Sequence, residues 1–362
     1  MGRMTWLAFL AVVGAPMAAS AQQPAAAPAP AAPAAAPQHG APDYQYAVPR
    51  SVSPEAAALL RPALAGQRAS YPLRAGLGTD FAAMRARAEE GVEARAQAVI
   101  ARTHVTVTAE TIGGVPVLRV VPPGAAADGR VLVYVHGGGW ALGSARGSLN
   151  AAAIYATATG LPVISVDYGL APEHNFRDIT GQVVAVYRAL LSGGHRANQI
   201  GMFGDSAGGN IIPGSMLRAR DEGLAMPAAL VLLSPCFDLS SDGDTRTTLA
   251  AAEPALDLPV ALQAMFEGYA GSPENIRNPW ASPIYGDFSR GFPPTLIQGG
   301  TRELLLSDFV RGYQAIRAGG NEAVLDIYEG MPHVFMTYLT ATPEGQRAIA
   351  TARDFFLTRL VR

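Results

Sequence analysis

Three short stretches of this chain carry residue types that could together perform acyl transfer. The first is Gly204-Asp205-Ser206-Ala207-Gly208, a G-x-S-x-G between an apolar run, "QIGMFG" (199–204), and a helix-prone one. A sharp strand-to-helix turn strains such a serine and presents its hydroxyl at a helix N-terminus, where partial positive charge favours a developing anion. The pentapeptide alone is a weak signal, since a serine N-cap after a glycine turn spells the same letters. The second stretch is His136-Gly137-Gly138-Gly139-Trp140, just past the apolar run "RVLVYVH" (130–136). Consecutive glycines let main-chain N–H groups converge on one point. With the N–H of Ala207, such donors could hold the negative oxygen of a tetrahedral intermediate. A dinucleotide-binding turn is the rival reading. It needs G-x-G-x-x-G opening a helix, a spacing Gly137-Gly138-Gly139-Trp140 does not keep, although Asp167 does close the next strand. His136 is expected to hold the loop in shape through its carbonyls.

The third stretch supplies a base. His333, in "GMPHVF" (330–335), follows the last expected strand, so it falls on a loop at the carboxyl edge of a sheet. His104 at an edge strand and His195 in a polar loop are less well placed. A histidine in this role needs a carboxylate to accept from Nδ1–H and to stabilise the imidazolium. "PTLIQGGTRELLLSDF" (294–309) offers two, Glu303 and Asp308. Glu303 falls three residues after the strand end at Gly300, before the helical run. Asp308 is already more than one turn into that helix and is expected to point elsewhere, as a charge near the helix start or in a salt bridge. Arg302 could pair with either. The order serine, acid, histidine is one that a sheet of this kind uses.

These stretches need a frame. "HVTVTAET" (104–111) and "VPVLRVVPP" (115–123) alternate like antiparallel strands. "RVLVYVH", "LPVISVDY", "QIGMFG", "AALVLLSP", "PTLIQGG" and "AVLDIYEG" read as further strands. Helical segments fall near 147–159, 178–192, 207–222, 305–318 and 344–361. Strand–helix alternation of this kind predicts a mostly parallel sheet covered on both faces. Ahead of it, "SPEAAALL" (53–60) has Ser53 as N-cap and Pro54 at the first helical position. "TDFAAMRARAEEGVEARAQAVIA" (79–101) reads as one longer helix. Residues 236–292, rich in Pro, Asp and Gly around the helical piece "PVALQAMFEGYAG", break the rhythm and read as an insertion above the sheet. Phe203 and Trp140 lie close in sequence to the site, and Phe266 and Tyr269 are candidates to line it, though such spacing more often means core.

Composition excludes other chemistries. The chain of 362 residues, 49% hydrophobic and 15% charged, has a sizeable core. A net charge of −2 points to neither nucleic acid nor anionic membrane. There is no lysine, which removes Schiff-base chemistry and the P-loop lysine. The lone Cys236 removes an intramolecular disulfide and CxxC sites. Residues 1–21 read as a secretory signal: an arginine, the apolar "WLAFLAVVGAPMAA", and Ala19-Ser20-Ala21 before Gln22. A periplasmic or secreted protein with no stable membrane anchor after cleavage is expected. Residues 22–50 read as an Ala/Pro-rich tether, 51–103 as N-terminal cap helices, and 104–362 as the catalytic domain.

With these motifs in place, the chain resembles the hormone-sensitive-lipase-like branch of the α/β-hydrolases, the bacterial "HGGG" esterases. The resemblance runs from about Val105 to the C-terminus. It rests on "HGGGW", "DYGLAPEH" (167–174), "GDSAGGN" (204–210), "ARDEGLAMPAALVLLSP" (219–235), "ASPIYGD" (281–287), "PPTLIQGG" (293–300) and "EGMPHVF" (329–335). It implies an eight-stranded sheet with a helical cap, and hydrolysis of short- to medium-chain carboxylic esters with no metal or cofactor. It implies oxyanion donors on Gly138, Gly139 and Ala207, with Gly137 outside the set, and Ser206, Glu303 and His333 as catalytic residues. His174 lies in a motif that the family uses structurally. Several positions depart from the pattern. Gly169 stands where arginine is usual. Asn175, Arg177 and Gln182 replace the usual proline, proline and acid, and Pro213 falls inside the helix after the nucleophile, where it is expected to kink it. The reactants implied are a small-molecule ester and water. Lactone or amide hydrolysis on the same residues, a non-catalytic ligand-binding role and a homodimer stay open.

Overall fold

In a strand buried on both faces, alternate side chains must serve two separate cores. The run at 131–135 does so: Val131, Val133 and Val135 pack on one side, Leu132 and Tyr134 on the other. The computed structural model describes residues 43–76, 78–256 and 259–362. The expected signal and most of the Ala/Pro segment lie outside the described residues. Eight strands form one sheet: β1 (Thr106–Ile112), β2 (Val115–Val121), β3 (Val131–Val135), β4 (Val163–Val166), β5 (Ile200–Asp205), β6 (Ala229–Leu233), β7 (Thr295–Gly300) and β8 (Ala323–Tyr328). Their order is β1-β2-β4-β3-β5-β6-β7-β8. β2 is antiparallel to both neighbours, and every other pair is parallel.

The helices are α1 (Pro54–Gly76), α2 (Phe81–Glu89), α3 (Val92–Thr103), α4 (Leu149–Thr159), α5 (Phe176–Ser192), α6 (Ala207–Asp221), α7 (Thr245–Thr248), α8 (Pro259–Ala270), α9 (Leu306–Ala318) and α10 (Pro343–Leu357). α5, α6 and α9 share the core on one face of the sheet, and α4 and α10 the core on the other. None of the described helices is long and apolar enough to cross a membrane.

Three features differ from expectation. The single helix expected over 79–101 is two, because Gly91 adopts φ 67 and ends α2 before α3 begins. α1 extends well past Leu60, through Pro62 and Pro72. Ala56, Leu60 and Leu64 bury against the α10 side, and Ser53 ties the helix start to Glu344 through its N–H and hydroxyl (2.7 and 2.8 Å). The tether ends earlier than residue 50. Asp43–Tyr46 form a 3-10 turn, and the carbonyls of Gln45 and Ala47 accept from Arg302. Once proline density falls, this segment has the polar groups to dock. α6 runs from 207 to 221 through Pro213.

Candidate active site

β5 ends at Asp205 and α6 starts at Ala207, which leaves Ser206 alone in the turn at φ 52, ψ −116. No β-branched or bulky residue holds that conformation cheaply. A Cβ at Gly208 would lie 1.9 Å from the Val135 carbonyl oxygen, so the helix can pass this close to β3 only with glycine there. The turn places Ser206 Oγ 2.9 Å from His333 Nε2. His333 Nδ1 in turn lies 2.7 Å from Glu303 Oε2. The three residues, each at the carboxyl end of a different strand, therefore form one hydrogen-bonded chain. With the proton on Nδ1, the ring donates to Glu303 and accepts from Ser206. That arrangement lets a hydroxyl shed its proton as it attacks a carbonyl.

The glycine loop closes over the same point. Gly138 (φ 115) and Gly139 (φ 60) line one cavity of about 510 Å³ together with Ser206, Ala207 and His333. Gly137 is different, since its N–H is taken by Asp205 Oδ1 at 3.2 Å. The rest of the cavity wall is mostly apolar: Met84 from α2, Leu262, Met265 and Phe266 from α8, and Leu256. Trp140 and Phe266 border it, whereas Tyr269 stacks behind Trp140 and Phe203 packs against Tyr134 and Tyr155 in the opposite core.

The model of the alpha/beta hydrolase fold family matches residues 132–337. An acetyl-hydrolase of Streptomyces hygroscopicus is 37% identical over 231 residues, which span 64% of this chain and 76% of that protein. An esterase of Acinetobacter venetianus is 31% identical over 226 residues, 62% of this chain and 74% of that one. The crystal structure of an esterase from the bacterial hormone-sensitive lipase family superposes with a TM-score of 0.68 at 35% identity, covering 71% of this chain and 85% of that chain. The chain belongs to the hormone-sensitive-lipase-like esterases. It is a carboxylic ester hydrolase with the α/β-hydrolase fold.

In this esterase burial alone would depress the His333 pKa. The hydrogen bond and charge of Glu303, with the charges of Glu253 and Asp205, outweigh it and hold the pKa above the ordinary imidazole value. Burial lowers the pKa of His136, which stays a neutral ring. His136 Nδ1 meets the Gly137 carbonyl at 2.7 Å, and the ring stacks on Tyr168. Burial also pushes the Cys236 thiol up to about 12, with Arg246 opposing, so the one cysteine at the cavity is no thiolate.

Several contributors escaped the sequence reading. Ser234, at the end of β6, donates to Glu303 Oε1 (2.8 Å) and accepts from Val334 N–H (3.0 Å), so one hydroxyl spans the acid and the histidine loop. The Gly300 N–H donates to the same Glu303 oxygen (2.6 Å). Asp205 holds the glycine loop through Gly137 and is itself held by the Tyr134 hydroxyl (2.6 Å). The available signal was position: both Ser234 and Asp205 are polar residues ending apolar strands. Asp308 points away, as expected. It pairs with Arg246 (2.9 Å) and accepts from the N–H groups of Phe237 and Asp238. Arg302 serves neither acid in these bonds and donates to the carbonyls of Gln45 and Ala47.

Among the described residues, the one cluster of possible metal ligands is Glu253, Glu303 and His333. Both His333 nitrogens are engaged, Nδ1 by Glu303 and Nε2 by Ser206, so a cation there would have to break this chain. The departures at 169–182 form a network of their own. The Gly169 N–H donates to Gln182 (2.8 Å), and a Cβ at Gly169 would strike the His174 ring at 2.4 Å. Asn175 caps α5 in a capping box with Asp178.

Proposed function

We propose that this esterase hydrolyses short- to medium-chain carboxylic esters through an acyl-enzyme on Ser206. His333 takes the Ser206 proton as Oγ attacks the ester carbonyl, then gives it to the leaving alcohol. Water repeats the sequence to release the acid. Glu303 orients the ring and stabilises the imidazolium. The N–H groups of Gly138, Gly139 and Ala207 hold the oxyanion. The ester and water are the only reactants.

The observation that carries this reading is the unbroken chain Ser206 Oγ–His333 Nε2 (2.9 Å) and His333 Nδ1–Glu303 Oε2 (2.7 Å) at the floor of an apolar cavity. The cavity of about 510 Å³ suits a modest acyl chain rather than a triglyceride. The reading includes export, with the mature chain beginning at Gln22; N-terminal sequencing of the exported protein checks it.

Turnover of p-nitrophenyl esters from acetate to palmitate is the test. Activity should peak at short to medium chains. Ser206→Ala and His333→Ala should abolish it. Glu303→Gln should lose at least ~10²-fold, by analogy with the ~10⁴-fold effect of a triad acid. A variant at Glu303 that kept full activity would remove it from the mechanism.

A further inference from the structure

Glu253 lies between α7 and α8, and no step above uses it. Its side chain is 0% exposed. Oε1 accepts the Ala255 N–H at 2.8 Å, the Leu304 N–H also faces the carboxylate, and Oε2 makes no close hydrogen bond among the described residues. One oxygen would suffice to hold the turn at Ala255. The second oxygen is the under-satisfied one, because burying a carboxylate oxygen without a close partner is costly. A Glu253 oxygen, a Glu303 oxygen and a His333 ring nitrogen all lie within 4.8 Å of one another.

The groups facing Glu253 come from several elements. Glu303 and the Leu304 N–H come from the turn after β7, His333 from the loop after β8, and Tyr338 from just beyond that loop. Asp205 faces His333 from the end of β5. Of the nearby arginines, Arg246 pairs with Asp308, and Arg302 donates to the carbonyls of Gln45 and Ala47. Of the charges acting on the Glu253 carboxylate, that of His333 is the largest.

We propose that Glu253 is a positioning residue for acyl transfer: its buried carboxylate, beside the Glu303–His333 pair, supplies a second negative charge that stabilises the imidazolium formed when His333 takes the Ser206 proton. This rests on the Ser206–His333–Glu303 reading. Where Glu253 is ionised and the ring is neutral, two enclosed carboxylates repel each other. When the ring gains a proton, both are attracted to it, so the change in charge favours proton uptake from serine. Burial, with His333 opposing and Glu303 adding to it, pushes the Glu253 carboxyl up to about 7, and at this separation its titration is coupled to that of His333.

pH–rate profiles for p-nitrophenyl butyrate decide the matter, measured on wild type, Glu253→Gln, Glu253→Asp and Ser206→Ala. Glu253→Gln should keep KM within about twofold. Its plateau kcat should fall about tenfold, the equivalent of one pKa unit in imidazole basicity. The acid limb of its kcat/KM profile should move to lower pH by roughly half a unit to one unit, because the free ring is protonated less readily. Glu253→Asp, which keeps the charge, should recover most of both. An unchanged kcat in folded Glu253→Gln overturns the proposal, as does a fall in kcat with the limb unmoved. If Glu253→Gln does not fold, the His333 Nδ1 proton resonance of wild type is followed with pH. Two inflections support the coupling and one overturns it. Activity in Ser206→Ala would sink the underlying serine reading. An inactive Ser206→Ala beside an unaltered Glu253→Gln would sink only the role of Glu253.

Discussion

Enclosing an imidazole normally makes it a poorer base, because the cation loses solvation. At His333 the carboxylates of Glu303, Glu253 and Asp205 reverse that sign. In the proposed mechanism the working form is the neutral ring, so kcat/KM should fall as pH drops through the His333 midpoint. That midpoint should lie above the usual imidazole value of about 6.5. A profile from pH 5 to 9 checks this, and a limb centred below 6 would contradict it. Gly138 gives a second test at the same scale. It sits at φ 115, and an added Cβ would lie 2.2 Å from the Leu142 carbonyl oxygen, a main-chain atom that cannot swing aside. Gly138→Ala should therefore displace the proposed oxyanion donor. A loss of about 10²–10³ in kcat is expected with little change in KM, the magnitude typical of one missing donor.

The short α7 and the start of α9 hold each other in place. The Thr245 N–H donates to Ser307 Oγ, the Ser307 N–H donates to Thr245 Oγ1, and Arg246 pairs with the fully buried Asp308. Asp308 also accepts the N–H groups of Phe237 and Asp238, so it anchors the segment that leaves β6. It is a keystone between helix and insertion, and it touches neither His333 nor Ser206 in these bonds. Asp308→Asn should cost about 3 kcal/mol of stability by leaving Arg246 buried without its counter-charge. In the fraction that folds, kcat should stay within a few-fold of wild type. Thermal melting and turnover on the same preparation separate the two effects. Had Asp308 been the orienting acid, kcat would collapse while the melting temperature held.

Across the whole molecule, the pH dependence of stability should carry the mark of Glu253. Its carboxyl is raised to about 7 in the fold, from the 4.5 of an unburied glutamate. Between those values the native state binds more protons than the unfolded chain, so stability falls as pH rises through that window. The penalty is complete above about 7. Glu253→Gln removes an ionisable group, so its melting temperature should gain on wild type between pH 5 and pH 8. A difference that stays constant with pH would contradict this. The site would then illustrate an enzyme that gives up stability for a charge arrangement its chemistry uses.

Much of this molecule was legible in the sequence because its signals are local. Each strand of the sheet announced itself as an apolar or alternating run, since backbone period and burial fix that pattern over a few residues. Ser206, His333 and Glu303 each fall just past such a run, and the structure brings those three side chains into one hydrogen-bonded chain. The choice between Glu303 and Asp308 was readable from position, because Glu303 falls in the turn after β7, before α9 begins; Asp308, expected more than one turn into the helix, lies in its first turn and is directed instead to Arg246 and the N–H groups of Phe237 and Asp238. Other features needed the fold. Gly91 divides α2 from α3 by a single left-handed residue that composition does not mark. Ser234 meets Glu303, Asp308 meets Arg246, and Glu253 approaches His333 across tens of residues of chain. No local pattern encodes those meetings. They follow from which loops the parallel sheet gathers at one edge, and from burial, which turns an ordinary carboxylate into a group that the neighbouring imidazole must feel.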